Sequence, residues 1–131
     1  MNGAHSEIFK RRALAFLKSA EHSFRDGNYD LVLFHAEQFM QLYLKYILSR
    51  KVGAFPKTYS LTELLREVAK ALNAPDIEKF YHDNIEIINL LEDSYIVARY
   101  LPRVYDRHVA ERTLEFAKKA LEVLKCLEEQ L

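Results

Sequence analysis

Hydrophobic residues recur along this chain at spacings of three and four, and they do not alternate over any run long enough for a strand. From Ser6, an N-cap type of residue followed by Glu7, the positions Ile8, Phe9, Ala13, Phe16, Leu17, Ala20 and Phe24 make one apolar stripe. That stripe predicts a helix reaching about Arg25. Asp26-Gly27-Asn28 is a short stop signal, so the next helix returns antiparallel. This second helix, from Tyr29 to about Lys51, is apolar on most faces, with Leu31, Val32, Phe34, Phe39, Met40, Tyr43, Leu44, Ile47 and Leu48. A helix with so little polar surface is central to a bundle or covered by a second subunit. Its exception is Glu37, Gln41 and Lys45, which fall at i, i+4 and i+8. Such a ridge is either a solvated face or a line of contacts facing a cleft.

Gly53 and Pro56 break the chain between Val52 and Tyr59. Ser60-Leu61-Thr62-Glu63 then reads as a capping box opening a short third helix that ends near Asn73. Pro75 suits the first turn of a fourth helix. Its apolar positions Ile77, Phe80, Tyr81, Ile85, Ile88, Leu91 and Tyr95 predict one continuous element from about Asp76 to near Tyr100. Asp106 is placed to cap a last helix with the stripe Val109, Leu114, Phe116, Ala117, Ala120, Leu121, Leu124, Leu127 and Leu131. The pattern as a whole predicts an all-α fold: an up-down bundle of four long helices plus one short helix, in a single domain over 1–131.

Composition sharpens that picture. The chain has 131 residues, enough for a core without disulfides or metal, and only three Gly and three Pro, which fits long uninterrupted helices. Nineteen basic residues balance nineteen acidic ones, so long-range steering of nucleic acid is absent and an anion site must be a local patch. The single cysteine, Cys126, excludes an internal disulfide and is expected as partly buried packing in the last helix. The opening Met1-Asn2-Gly3-Ala4-His5 lacks the apolar region of a signal peptide, and runs such as Leu31 to Phe34 are too short to span a bilayer. The expectation is a soluble, cytoplasmic protein with no membrane association. No His-Glu-x-x-His spacing, glycine-rich phosphate loop or serine-nucleophile motif occurs, so neither a metal nor a cofactor is expected. His22 and His35 are read as packing or surface residues, and His82, Asp83 and Glu86 as a solvated turn.

The densest chemistry lies in Arg99-Tyr100-Leu101-Pro102-Arg103-Val104-Tyr105-Asp106-Arg107-His108, at a helix break marked by Pro102. Four arginines between Arg99 and Arg112 face only Asp106 and Glu111, which makes this stretch the local basic patch. Arginine is a permanent planar anion binder, and histidine exchanges protons near neutral pH. Arg103-x4-His108 can therefore hold a phosphodiester and move its protons; read as a plain element, the stretch is a solvated interhelical corner.

Several pieces in order carry a family resemblance. They are Gly27-Asn28-Tyr29, then His35-Ala36-Glu37-Gln38-Phe39-Met40-Gln41-Leu42-Tyr43-Leu44-Lys45, Thr58-Tyr59-Ser60-Leu61 with Leu64-Leu65, Ala98-Arg99-Tyr100, and Ala117 with Ala120. Over nearly its whole length the chain resembles HEPN-domain proteins, small all-α modules associated with nucleotides and RNA. The resemblance implies a helical bundle, commonly paired as a dimer with a cleft between subunits. Many active members are metal-independent endoribonucleases, some of them toxins, with Arg-x4–6-His near the last two helices. On that reading Arg103 and His108 are catalytic. His108 serves as general base or acid for attack by a 2′-hydroxyl, Arg103 stabilises the phosphorane oxygens, Arg99 holds a neighbouring phosphate, and Asp93 or Asp106 orients the imidazole.

Other members are not catalytic and accompany a minimal nucleotidyltransferase in toxin–antitoxin pairs, which gives the alternative function. Here Arg99, Arg103 and Lys45 bind phosphates of a nucleotide or RNA, Tyr100 or Tyr105 stacks on a base, and Arg107 belongs to the same patch. Three positions depart from the family pattern and favour this alternative. Ala110 stands where some toxins carry a modifiable tyrosine, Gln41 where many members have Glu, and Tyr59 where His is frequent. The apolar second helix and the abundance of tyrosine predict a homodimer, two-fold symmetric as most homo-oligomers are.

Overall fold

A computed structural model of the protein describes residues 3–100 and 104–131. Six helices follow one another: α1 Gly3–Arg25, α2 Tyr29–Val52, α3 Leu61–Leu72, α4 Pro75–Asp83, α5 Ile85–Tyr100 and α6 Arg107–Glu128. No strand occurs among the described residues. The turn between α1 and α2 needs a left-handed residue, and Gly27 supplies it at φ 78°. The same conformation ends α2 at Gly53, whose N–H returns to the Ser49 carbonyl. At the end of α3 it falls on Asn73 with φ 49°, the non-glycine type that best tolerates it.

α2 is the axis of the molecule. It packs against α1, α3, α5 and α6, and thirteen of its 24 residues are buried, from Val32 to Ser49. The apolar faces that set this helix apart in sequence are thus filled from within one chain, and none of them requires a second subunit. α3 buries Leu61, Leu64, Leu65, Val68 and Ala69, one face of a short amphipathic helix. Its start is half the predicted box: Ser60 Oγ accepts from Glu63 N at 3.1 Å. The Ser60 N–H goes instead to Thr58 Oγ1, and a carboxylate from another helix, Glu92, accepts from Thr62 N at 2.7 Å.

The continuous helix expected from Asp76 to Tyr100 is interrupted at Asn84, so six helices stand where five were predicted. The Asn84 side-chain amide donates to the Phe80 carbonyl at 2.9 Å, taking the place of a backbone donor, and the backbone turns to φ −126°, ψ 21°. α6 is capped as expected, with Asp106 Oδ1 accepting from Val109 N at 3.0 Å. Cys126 is exposed, which corrects its expected packing role: it falls on the outer face of α6, between the buried Leu124 and Leu127.

Near its C-terminus α6 is held by Glu128. This carboxylate accepts from Tyr43 Oη at 2.5 Å, from Tyr46 Oη at 2.9 Å and from Lys10 Nζ at 2.7 Å. Three helices, α1, α2 and α6, therefore meet on one side chain. Burial alone would raise the Glu128 carboxyl, but the bonds from Lys10, Tyr43 and Tyr46 hold it below its ordinary range.

Candidate functional site

The α2 ridge is enclosed. Glu37 is wholly buried and Gln41 nearly so, covered by α5 and by the segment leading into α3, so at these two positions the ridge is not a solvated face. Glu37 Oε1 accepts from Gln38 Nε2 at 2.7 Å and Oε2 from Gln41 Nε2 at 2.5 Å. Burial pushes the Glu37 carboxyl up to about 7, the amide donors and Lys45 opposing that rise and Glu92 adding to it. Gln41 Oε1 in turn accepts from Lys45 Nζ at 3.3 Å.

Lys45 ends this ridge half-buried. Its ammonium lies 5.5 Å from the Phe55 ring centroid and 5.7 Å from that of Tyr59, and burial lowers its pKa. Tyr59 is stacked on Tyr95 of α5 with centroids 4.8 Å apart and planes 21° from parallel. Arg99, one turn beyond Tyr95, sets its guanidinium 4.7 Å from the Tyr95 centroid. Each ring of a stacked tyrosine pair thus carries a cation, and neither cation has an acidic partner among the described residues. Cations over aromatic faces keep their N–H groups available for an incoming anion.

The structure distributes the sequence-predicted residues unevenly. Lys45 and Arg99 come together on the Tyr59–Tyr95 pair. Tyr100, beside them in sequence, is 72% exposed. Tyr105 is only 5% exposed, so its ring belongs to the core and offers no face for a base, a correction to its expected stacking role. Arg107 sits elsewhere, its guanidinium 5.4 Å from the Phe24 ring centroid of α1. Arg103 lies outside the described residues. His108 is exposed in the first turn of α6 and makes no side-chain hydrogen bond or ion pair among the described residues. Asp106 caps α6, Asp93 is exposed, and among the described residues no hydrogen bond or ion pair joins either carboxylate to the imidazole. One turn past His108, Arg112 lines a groove of about 580 Å³ between the α4–α5 junction and α6, together with Asn84, Leu90 and Phe116.

Glu37, Tyr59, Tyr95 and Glu92 were not picked out as site residues by their chemistry in the sequence. For Glu37 the pattern left no clear signal, because the one polar ridge of an otherwise apolar helix reads equally well as its solvated side. For the Tyr59–Tyr95 stack there was none, since 36 positions separate two ordinary tyrosines.

Six helices among the described residues, a cation-bearing aromatic pair and an exposed histidine make this a small all-α module. Residues 6–127 match the HEPN domain family, and the chain belongs to it. It is similar to the crystal structure of TT1696 from Thermus thermophilus, with a TM-score of 0.73 and 27% identity over 96% of this chain and 98% of that one. No curated protein matches the chain. No described helix is long and apolar enough to cross a membrane.

Proposed function

We propose that this HEPN-domain protein binds a phosphate-bearing nucleotide segment, with Lys45 and Arg99 as phosphate partners and the exposed ring of Tyr100 as a stacking face for a base. The observation that carries the reading is the stacked Tyr59–Tyr95 pair with, on each ring, a cation that has no acidic partner among the described residues. Hydrogen bonds to charged groups contribute about 1.5–3 kcal/mol, so losing either cation weakens binding about tenfold or more. The test is calorimetric titration with a short oligonucleotide. Lys45→Met and Arg99→Ala are expected to raise Kd by that factor, and an unchanged Kd in both variants defeats the reading.

Metal-independent RNA cleavage is the second reading, favoured by the Asp106 cap that holds His108 exposed in the opening turn of α6, five residues beyond Arg103. In it the 2′-hydroxyl attacks the adjacent phosphorus, His108 moves the proton, and Arg103 stabilises the phosphorane oxygens. The imidazole lacks an orienting carboxylate within the described part of the chain, which is why binding is placed first. A general acid–base group contributes about 10²–10⁴-fold to rate. Labelled RNA incubated with the protein in chelator is therefore cleaved by the wild type and left intact by His108→Ala if this reading holds. Binding without cleavage supports a non-catalytic module, including one that works with a separate minimal nucleotidyltransferase.

A further inference from the structure

Glu37 is enclosed at the middle of α2, and among the described residues no cation touches it and its oxygens accept only the amide donors of Gln38 and Gln41, at 2.7 and 2.5 Å. A buried carboxylate without an adjacent countercharge is costly to keep ionised. The nearest compensating charge is Lys45, which reaches it through a single group: Gln41 donates to Glu37 with Nε2 and accepts from Lys45 with Oε1. From α5, the Glu92 carboxylate and the Tyr95 hydroxyl also act on this position, and the Tyr59 carbonyl lies 3.5 Å from Gln41 Nε2. His35, two residues earlier on α2, turns the other way, toward Phe16 of α1 and Phe34.

We propose that Gln41 is a proton-coupled relay, so that a phosphodiester seated on Lys45 is accompanied by proton uptake at Glu37 and a half-turn of the Gln41 amide. The proposal rests on the binding reading above and adds its regulation. An anion beside Lys45 cancels the charge that helps keep Glu37 ionised. A solvent proton then adds to Glu37 Oε2, converting carboxylate to carboxylic acid, and no other covalent bond changes. The new O–H needs an acceptor, and the turned amide presents Oε1 to it. The same rotation carries Nε2 to the Lys45 side, where it donates to the phosphate. Glutamine at position 41 is suited to this because it has a donor and an acceptor to exchange, whereas an ionised glutamate has acceptors only. Burial already brings Glu37 to about 7, so the exchange falls in the neutral range.

The test uses the full chain and a deoxydinucleotide with one phosphodiester, a probe that does not itself titrate near neutrality and has no 2′-hydroxyl to cleave. Titration calorimetry in two buffers of different ionisation enthalpy reads proton uptake directly. The wild type is expected to take up a fraction of a proton near about pH 7, and its Kd to rise between about pH 6 and about pH 8.5 by about tenfold per pKa unit that binding adds to Glu37. Glu37→Gln is expected to bind at every pH as the wild type does at the acid end, with the Glu37 share of uptake gone. Gln41→Leu keeps the carboxyl but loses the coupling. Should Glu37→Gln fail to fold, a carbon NMR titration of the Glu37 carboxyl in wild-type protein, with and without the dinucleotide, reads the same upward displacement. Binding with identical proton uptake in wild type and Glu37→Gln, or a Glu37 titration that the dinucleotide does not move, overturns the relay and leaves the binding reading standing. Absence of any dinucleotide binding overturns both.

Discussion

Glu37 and Glu128 respond to pH in opposite directions. Glu37 has a folded-state pKa raised from 4.5 to about 7, so between those values the folded chain holds a proton that the unfolded chain has released. Stability therefore falls as pH rises through that window, by about 3 kcal/mol in all, and is level above it. Glu128 is held below its ordinary range, so its contribution is present above the unfolded value and is lost as pH falls through the folded one. Urea unfolding measured across pH is expected to show the Glu37 decline in wild-type protein and its loss in Glu37→Gln, whose stability instead rises toward pH 6.5 because burial lowers the pKa of His35. At this scale the sequence was legible where chemistry is intrinsic to a residue, as with Arg99, Lys45 and His108. It was opaque where chemistry is conferred by neighbours: nothing in the letters of Glu37 or Glu92 tells a buried titrating carboxyl from one that accepts the Thr62 N–H in the first turn of α3.

Element boundaries were readable wherever a stop signal was stereochemical. Gly27, Gly53 and Pro75 mark the ends that the structure shows, because a positive φ or a missing N–H leaves few alternatives. The break at Asn84 had no such mark. Apolar positions continue in register on both sides of it, from Phe80 and Tyr81 to Ile85 and Ile88, and the interruption is made by a side-chain amide that competes for the Phe80 carbonyl. The first turn of α6 carries its own test. Asp106 Oδ1 satisfies Val109 N, and losing an N-cap of this kind costs about 1 kcal/mol. Asp106→Ala is expected to lower the urea midpoint accordingly and to increase hydrogen exchange at Val109 and Ala110, the first amides of α6 that are bonded. An unchanged exchange rate at those amides would mean that the cap does not order the turn holding His108.

For the molecule as a whole, the neutral charge balance makes local surface the deciding property. Ile96, Tyr100 and Val104 are 55%, 72% and 80% exposed, and they lie close along the chain around the end of α5. With α2 already filled from within, these residues rather than its apolar faces are the ones a two-fold partner would cover. The expectation is a dimer in sedimentation equilibrium at micromolar concentration for wild type and a monomer for Val104→Glu, with unchanged helical circular dichroism. A wild-type monomer would leave this apolar surface without that explanation.

The position of Glu128 has a practical outcome for anyone trimming this chain to its recognised family span. That span closes at residue 127, one short of the carboxylate on which Lys10, Tyr43 and Tyr46 converge. Deleting 128–131 removes no core side chain except the part-buried Leu131, yet it takes the acceptor from the Tyr43 hydroxyl and the Lys10 ammonium at once and leaves Tyr46 with Arg50 and Glu7 alone. The shortened protein is expected to keep its helix content while the start of α1 and the end of α6 fray together, visible as faster amide exchange at both. A domain boundary drawn by sequence similarity would here cut through a tertiary tie, and the safe place to end the molecule is beyond residue 128.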